Sequence, residues 1–458
     1  MSDVPSEGQT TRTGIIVVSA ALLATGAVMA ASAAASLDHP LLGDGVWRSA
    51  FGRQMLFIVA AFGVLVACSR IDPGILRWRN DGRFPIRGFQ PSVWLLLLTI
   101  VLLLMVWVPG IGVESHGRSR WIQLGLGHAG LSFQPSELAK LSLVVFLAAF
   151  LSRGVAGWSS AGGMPSRDPP RSPLGKEGLK GVARKHVGTT TFSHDALHGE
   201  RMPSGRFIVP LIAIGVVCAL VGSEDFGTAV LLAAVGGLML IVGGCRLSTI
   251  AAWAIPTIGA FMYLLLSEPY RLKRLLAFRD IWDDPQGRGY HAIQSLAAIA
   301  SGGWTGKGLG AGLAKYGYLP EARSDFIFAL ICEEAGFVGG TTVILLFIVL
   351  VYFGLRAMRS TGSTDGGFYA LFAFGVTAMV GLQAVMNIAV VTVVAPTKGI
   401  ALPLVSSGGS GVLCFAVAIG LLAGGVGRST TPPSPEHKRR ERRHAPVRAA
   451  SLATAEAT

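Results

Sequence analysis

The sequence predicts an all-α polytopic membrane protein of about ten transmembrane helices, with a large extracytoplasmic loop between the seventh and the eighth. Three observations carry that reading: the composition, ten separate apolar runs, and the side on which the cations fall. As a soluble protein, 458 residues would make about three domains. Composition overrides that prior, because 51% of residues are apolar and only 14% are charged, against roughly 25% charged in soluble domains. Mean hydropathy is +0.55. A soluble enzyme, a disordered protein and a nucleic-acid binder all fit poorly. In a membrane protein, the net charge of +13 points to cytoplasmic Lys and Arg rather than to nucleic acid. The 60 glycines are nearly double the usual share of about 7%, which suits helices packed closely in lipid.

A span takes about 20 mainly apolar residues. The runs that qualify are 14–36, 54–69, 92–111, 135–152, 206–222, 226–244, 247–266, 326–355, 368–394 and 409–427. Ala31-Ser32-Ala33 resembles a signal-peptide cleavage site, but the apolar run is too long and Arg12 is a thin basic region, so the first span reads as an uncleaved anchor. Ten spans place both termini on one side. The loop 70–91 (Arg70, Arg77, Arg79, Arg83, Arg87), the loop 153–205 and the tail with Lys438, Arg439 and Arg440 share that side, which is therefore cytoplasmic. Residues 1–13 form a short cytoplasmic tail and 14–427 the membrane domain. The loop 153–205 and the basic tail 428–458 carry too little apolar surface to fold alone and are expected to be disordered. Cys68, Cys218, Cys245, Cys332 and Cys414 form no CxxC pair and read as buried small hydrophobes.

Three motifs fail on context. Gly125-x-Gly127-x-x-Gly130 has no preceding strand to make a dinucleotide fold. Gly306-Lys307 lacks the Ser/Thr and the spacing of a phosphate loop. His194-Asp195-Ala196-Leu197-His198 resembles a zinc-protease motif but lies in the cytoplasmic loop, where a solvated polar stretch is the better reading.

Charge near lipid is costly, so four polar stretches are informative. The first is GRSRWI (117–122, with Arg120) followed by FQPSELAK (133–140). Glu137 and Lys140 are three apart on one helix face, and form either a structural ion pair or the wall of a head-group cavity. The second, Ser223-Glu224-Asp225, reads as a helix cap or as a functional turn. The third is the extracytoplasmic loop 267–325. It is rich in cations on the side where the cation rule does not expect them: Arg271, Lys273, Arg274 and Lys307. Its glycine-rich run Gly302–Gly312 and its aromatics could cradle a pyrophosphate and sugar rings. It ends YLPEARSDF, with Glu321 and Asp325, and Glu333 and Glu334 follow inside the next predicted span. The fourth is Asn387, then Pro396-Thr397-Lys398-Gly399, then LPLVSSGGS with Ser406 and Ser410. Pro and Gly break the helices there, and such backbone must be buried in protein or line a cavity.

These motifs, in this order, resemble the SEDS family (shape, elongation, division and sporulation) over about residues 50–427. The strongest pieces are GRSRWI…FQPSELAK, YLPEARSDFIFA…EE and NIAVV…PTKG…PLVSSGGS, and the strings around Asp325 and Lys398 look more like the division-type FtsW branch than RodA. The resemblance implies a glycosyltransferase of the bacterial cytoplasmic membrane that polymerises lipid II at the outer face, working with a class B penicillin-binding transpeptidase and other divisome proteins. It maps the family's essential aspartate onto Asp325, the upstream glutamate onto Glu321 and the PTKG lysine onto Lys398. Ser324 stands where the family usually has Thr, Ser407 where it has Tyr, and Gly411 where it has Ser.

Glycosyl transfer needs a base near the attacking hydroxyl and positive charge at the leaving pyrophosphate. Asp325 is the candidate base and a candidate ligand for a divalent cation, Mg²⁺ or Mn²⁺. Arg271, Lys273, Arg274, Lys307 and Lys398 are pyrophosphate candidates, and Glu321, Arg120, Glu137, Lys140, Ser406 and Ser410 are further substrate contacts. Lys398 meets either substrate or a glutamate such as Glu137 or Glu334. Two rival functions use the same cavity: a lipid II flippase, and a non-catalytic scaffold for the transpeptidase.

Overall fold

The apolar runs form helices close to their expected places. The computed structural model describes residues 7–34, 50–77, 90–108, 112–115, 118–124, 131–161, 207–266, 280–287, 289–319, 322, 324–359, 366–396 and 399–426. The helices are α1 (Glu7–Ala34), α2 (Ala50–Cys68), α3 (Pro91–Met105), α4 (Pro135–Ala161), α5 (Ile208–Glu224), α6 (Phe226–Val242), α7 (Leu247–Leu266), α8 (Tyr290–Gly302), α9 (Ile327–Arg359), α10 (Gly366–Val391) and α11 (Gly409–Val426). Among the described residues, six are long and apolar enough to cross a membrane, and the apolar helices α3, α5, α6 and α7 bring the candidate spans to the expected ten. α4 runs beyond its expected end at 152 to Ala161. The rest of the loop 153–205 and the tail 428–458 lie outside the described residues. The five cysteines form no disulfide.

α4 is the most enclosed span, flanked by α3, α6, α10 and α11. α11 packs on α2 and α1, and α9 on α10 and α1. Glycines set several of these approaches. A Cβ on Gly354 of α9 would stand 2.2 Å from Thr377 Oγ1 of α10, and one on Gly420 of α11 would stand 2.7 Å from the Leu65 carbonyl of α2. Close packing of this kind accounts for part of the glycine excess.

The contacts along α1 and α9 give the height of the bundle. Gly14 packs against the Phe353 ring, and Ser32 Oγ donates to Glu334 at 2.6 Å. Ser32 follows Gly14 by eighteen residue steps, a rise of about 27 Å at 1.5 Å per residue, close to a hydrocarbon core. One end of the bundle holds Glu7 paired with Arg356 (3.0 Å), Arg12 donating to the Ser69 carbonyl (3.0 Å), and Asp72 capping a short turn while accepting from Tyr369 Oη. The end of α11 lies there too, since Gly424 packs on the Ile71 carbonyl. The opposite end holds Ser32, Glu334, Asn387 and Ser410.

Three features depart from a plain ten-helix reading. A three-stranded antiparallel sheet, β1 (Gly112–Ser115), β2 (Arg118–Leu124) and β3 (Leu131–Phe133), fills the connection between α3 and α4. α8 lies within the long loop. α9 is broken at Gly336, whose φ is 68°. Glu333 and Glu334 therefore sit at a helix break level with the end of α1, not inside a continuous span.

The break is plugged by the glycine-rich run. The amides of Lys307 and Gly308 donate to the carbonyls of Glu333 and Glu334, each at 3.0 Å. The amides of Phe337 and Val338 donate to the carbonyls of Gly303 (2.9 Å) and Trp304 (3.2 Å). Two carbonyls of the first half-helix and two amides of the second thereby find backbone partners in the loop. A Cβ on Gly336 would lie 2.3 Å from the Gly306 nitrogen in a left-handed conformation. Gly336→Ala is expected to destabilise the protein by about 1–3 kcal/mol from backbone strain, more if the plug is expelled, as read by thermal unfolding of the purified full chain.

Candidate active site at the end opposite the termini

Arg120 is placed by a β-bulge. Gly112 pairs with Ile122 and Val113 with Trp121, but Glu114 pairs with Ser119 and Ser115 with Arg118. The register slips by one residue, and Arg120 is the extra residue on β2. A bulge re-aims its side chain. Here the Arg120 guanidinium reaches the segment between α10 and α11: Nη1 lies 3.8 Å from where Gly399 would carry a Cβ. Asp325 Oδ2 lies 3.1 Å from the same point. The strand bulge, the end of the long loop and the helix break thus converge on Gly399. Arg120 and Asp325 are both half-buried.

Residues 392–396 and 399–408 are non-helical, and side chains stitch this segment down. Asn387 Nδ2 donates to the carbonyls of Asp325 and Ile400, each at 2.7 Å. Gln383, one turn earlier on α10, donates to the Ala401 carbonyl at 2.8 Å. Ser406 Oγ accepts from the Leu402 amide (2.7 Å) and donates to the Ser324 carbonyl (2.7 Å). Val393 (φ 58°) and Leu404 (φ 63°) are the non-glycine residues in the left-handed region among the described residues, and both belong to this segment. Such conformations persist only where surrounding contacts enforce them. At Leu404 that contact is α1: a Cβ on Gly26 would be 3.1 Å from the Leu404 carbonyl.

Deeper in the bundle lies a buried ion pair. Lys140, 2% exposed, has Nζ 2.7 Å from both Glu137 oxygens, donates to Gln383 Oε1 at 2.9 Å and sits 4.9 Å from the Phe415 ring centroid. Ser410 Oγ accepts from the Gln134 amide at 3.4 Å. A Cβ at Gly411 would be 3.0 Å from Glu137 Oε2, so a serine there would adjoin this carboxylate.

Lys307 is placed elsewhere. Its Nζ bonds Glu333 at 2.8 Å, and Glu333 also accepts from the amides of Leu313 (2.9 Å) and Ala314 (3.0 Å). Glu334 accepts from Ser32 and from the Gly310 amide (3.0 Å), with Lys315 Nζ 3.9 Å away. The glycine run expected to cradle pyrophosphate therefore directs Lys307 and several amides at two glutamates. Both glutamates considered as partners of Lys398 are engaged with other groups. Asp225 caps α6, accepting from the amides of Gly227 (3.0 Å) and Thr228 (3.2 Å).

Of the residues expected from sequence, the fold brings Asp325, Arg120 and Ser406 together, with Glu137, Lys140 and Ser410 close by through Gln383 and α11. Glu321, Lys398, Arg271, Lys273 and Arg274 lie outside the described residues. Sequence reading passed over Gln383, although a Gln four residues before an Asn in an apolar span marks one polar helix face. It also did not foresee His291 stacking on Phe326 (centroids 6.0 Å apart), beside Asp325. Among the described residues, no three His, Cys, Asp or Glu cluster to hold a metal. Asp325 offers one hard oxygen ligand, which suits a cation that takes its other ligands from phosphate and water.

Fold and site together define a polytopic membrane protein with a carboxylate–guanidinium site at one end of its bundle. The chain belongs to the FtsW/RodA/SpoVE family, described as cell cycle protein, which matches residues 12–427. It is 32% identical over 408 residues to the "Probable peptidoglycan glycosyltransferase FtsW" of Geobacter sp. (strain M18), covering 89% of this chain and 94% of the relative. It is 31% identical over 408 residues to "Stage V sporulation protein E" of Bacillus subtilis (strain 168), with coverage of 89% and 94%. Solved structures share the fold. A chain of a peptidoglycan synthase complex aligns with a TM-score of 0.59 at 22% identity, covering 92% of this chain and 98% of that one. The rod shape determining protein RodA of Thermus thermophilus aligns at 0.55 and 21%, covering 92% and 97%.

Lys140→Met should strand the Glu137 carboxylate and lower stability by about 3–5 kcal/mol. Adding Glu137→Gln to that variant should recover most of the loss. Thermal melting of the three proteins checks both expectations.

Proposed function

We propose that the chain is a peptidoglycan glycosyltransferase that polymerises lipid II into glycan strands at the outer face of the bacterial cytoplasmic membrane, in cell division. The observation that carries the reading is the convergence of Asp325, Arg120 and Gly399 at the bundle end opposite Glu7 and Val426. Relatives covering nearly the whole chain are named for this activity. The cation rule supports this orientation: Arg12, Arg70 and Arg356 lie at the other end, beside Glu7, where a cytoplasmic face is expected.

In this mechanism the C4 hydroxyl of an acceptor sugar attacks the anomeric carbon of the undecaprenyl-pyrophosphate-linked chain. Asp325 takes the hydroxyl proton, and undecaprenyl pyrophosphate departs. Arg120, whose guanidinium approaches Gly399 beside Asp325, is the proposed group that stabilises negative charge on the leaving group. Glu321 and Lys398, near Asp325 and Gly399 in the sequence, are proposed as further substrate contacts. Arg271, Lys273 and Arg274 are proposed as further pyrophosphate contacts on sequence grounds. A divalent cation on Asp325 would help neutralise pyrophosphate.

A class B penicillin-binding transpeptidase is the expected partner, in line with the peptidoglycan synthase complex that shares the fold. Divisome proteins are expected to recruit the pair. Transport of lipid II without bond formation would draw on charges within the spans. Glu333 and Glu334, the acids that would serve it, are occupied at the α9 break.

The deciding experiment is purified full-length protein with labelled lipid II, with and without its transpeptidase, run on a gel for polymer. Asp325→Ala should abolish polymer while inserting and melting as the parent does; a parental yield would remove Asp325 from the reaction. Chelation of divalent cations should stop polymerisation, and Mg²⁺ or Mn²⁺ should restore it. Full activity after exhaustive chelation would remove the cation.

A further inference from the structure

We infer that Asn387 is a positioning residue for glycosyl transfer, acting through the backbone to hold Asp325 against the 399–402 segment. The inference rests on the glycosyltransferase reading and goes beyond it by assigning a part to a residue that touches no substrate.

Asn387 is 1% exposed and sits on the last turns of α10. Its Nδ2 faces two carbonyl oxygens, which fixes the amide orientation, because only the NH₂ side can donate. The two acceptors come from segments far apart in sequence. One is the carbonyl of Asp325 itself and the other that of Ile400, next to Gly399. A single amide therefore sets the separation of the two walls of the site.

A second side chain makes a parallel tie. Ser406 holds the carbonyl of Ser324 while taking the amide of Leu402. Successive carbonyls, 324 and 325, are thus bound to the 400–402 backbone through different side chains. Gln383 fixes the carbonyl between those anchors, at Ala401, and ties it to Lys140. The Asp325 carboxylate then has little freedom: its backbone is held from one side, and Oδ2 stands 3.1 Å from the Cβ position of Gly399 on the other. Displacement of a reacting group by about 1 Å can cost a hundredfold in rate. Loss of Asn387 releases Asp325 without removing any group from the lipid II surface, so turnover should fall and binding should not.

Two variants change the donor: Asn387→Leu, of similar volume, removes both donor hydrogens, and Asn387→Asp, of the same shape, removes at least one of them. Ser406→Ala, which deletes one oxygen and adds no bulk, is the third. On the full chain with labelled lipid II, each should lower kcat about tenfold or more with KM within about twofold when assayed well below its own melting temperature, which the stranded backbone groups are expected to lower. Hydrogen–deuterium exchange of peptides covering 324–327 and 399–405 should rise severalfold in the same variants. Parental kcat, a change confined to KM, or a loss that tracks melting would overturn the inference. So would unchanged exchange, which is read whether or not the protein is active. If the parent itself makes no glycan, the glycosyltransferase reading fails, and the exchange data alone decide whether Asn387 holds the segment.

Discussion

Backbone that leaves a helix within an apolar bundle carries N–H and C=O groups that lipid cannot satisfy, and the candidate site depends on how this chain meets that constraint. Two breaks occur at the same end of the bundle. At Gly336 the answer is backbone on backbone: a loop of glycines enters the gap, donates to one half-helix and accepts from the other. Between α10 and α11 the answer is side chain on backbone, from Asn387, Gln383 and Ser406. The second solution creates a site, because the side chains that satisfy the break also hold Asp325.

Charge follows the same logic. Lys140, Lys307 and Lys315 each face a buried or nearly buried glutamate: Glu137, Glu333 and Glu334. Such pairs are weak evidence for net stability, since desolvation offsets most of their attraction. They do specify register. Ser32 and Lys315 can meet Glu334 only if α1, the glycine loop and α9 are aligned to within about one residue. The Glu137–Lys140 pair likewise connects α4 to α10 through Gln383, so the position of α4 bears on the anchor of the 399–402 segment.

Much of this was legible in the sequence. Ten apolar runs gave ten candidate spans because length and hydropathy alone decide what can cross a bilayer. Asp325 and Arg120 were marked as candidates from sequence strings some two hundred residues apart, and the fold places both beside Gly399. Partnership was harder to read. Lys307 resembles a free phosphate ligand in sequence, and only the break at Gly336 turns its side chain to Glu333. A β-bulge cannot be read from GRSRWI, because it depends on the register of β1 against β2. Helix periodicity gave no warning of the break in α9 either, since Gly336 lies between two segments that are each helical by pattern.

The arrangement also bears on how the described groups of the site are held. The described part of the site has one carboxylate and one guanidinium on Gly399, and neither stands on a long free loop. Arg120 projects from a bulge in a paired strand, and Asp325 lies two residues before α9 begins, with carbonyls tied on both sides of its nitrogen. Rotation of either side chain is limited by what its backbone rests on, and the glycine between them leaves the intervening space clear. Polar groups held in this way need no reorganisation when charge develops between an attacking oxygen and a departing phosphate, and the gain is largest where water is excluded. The same stitching that spares the membrane an unsatisfied backbone therefore gives the site its preorganisation: a break with looser ties would cost stability in lipid and, in the same step, the geometry that the reaction uses.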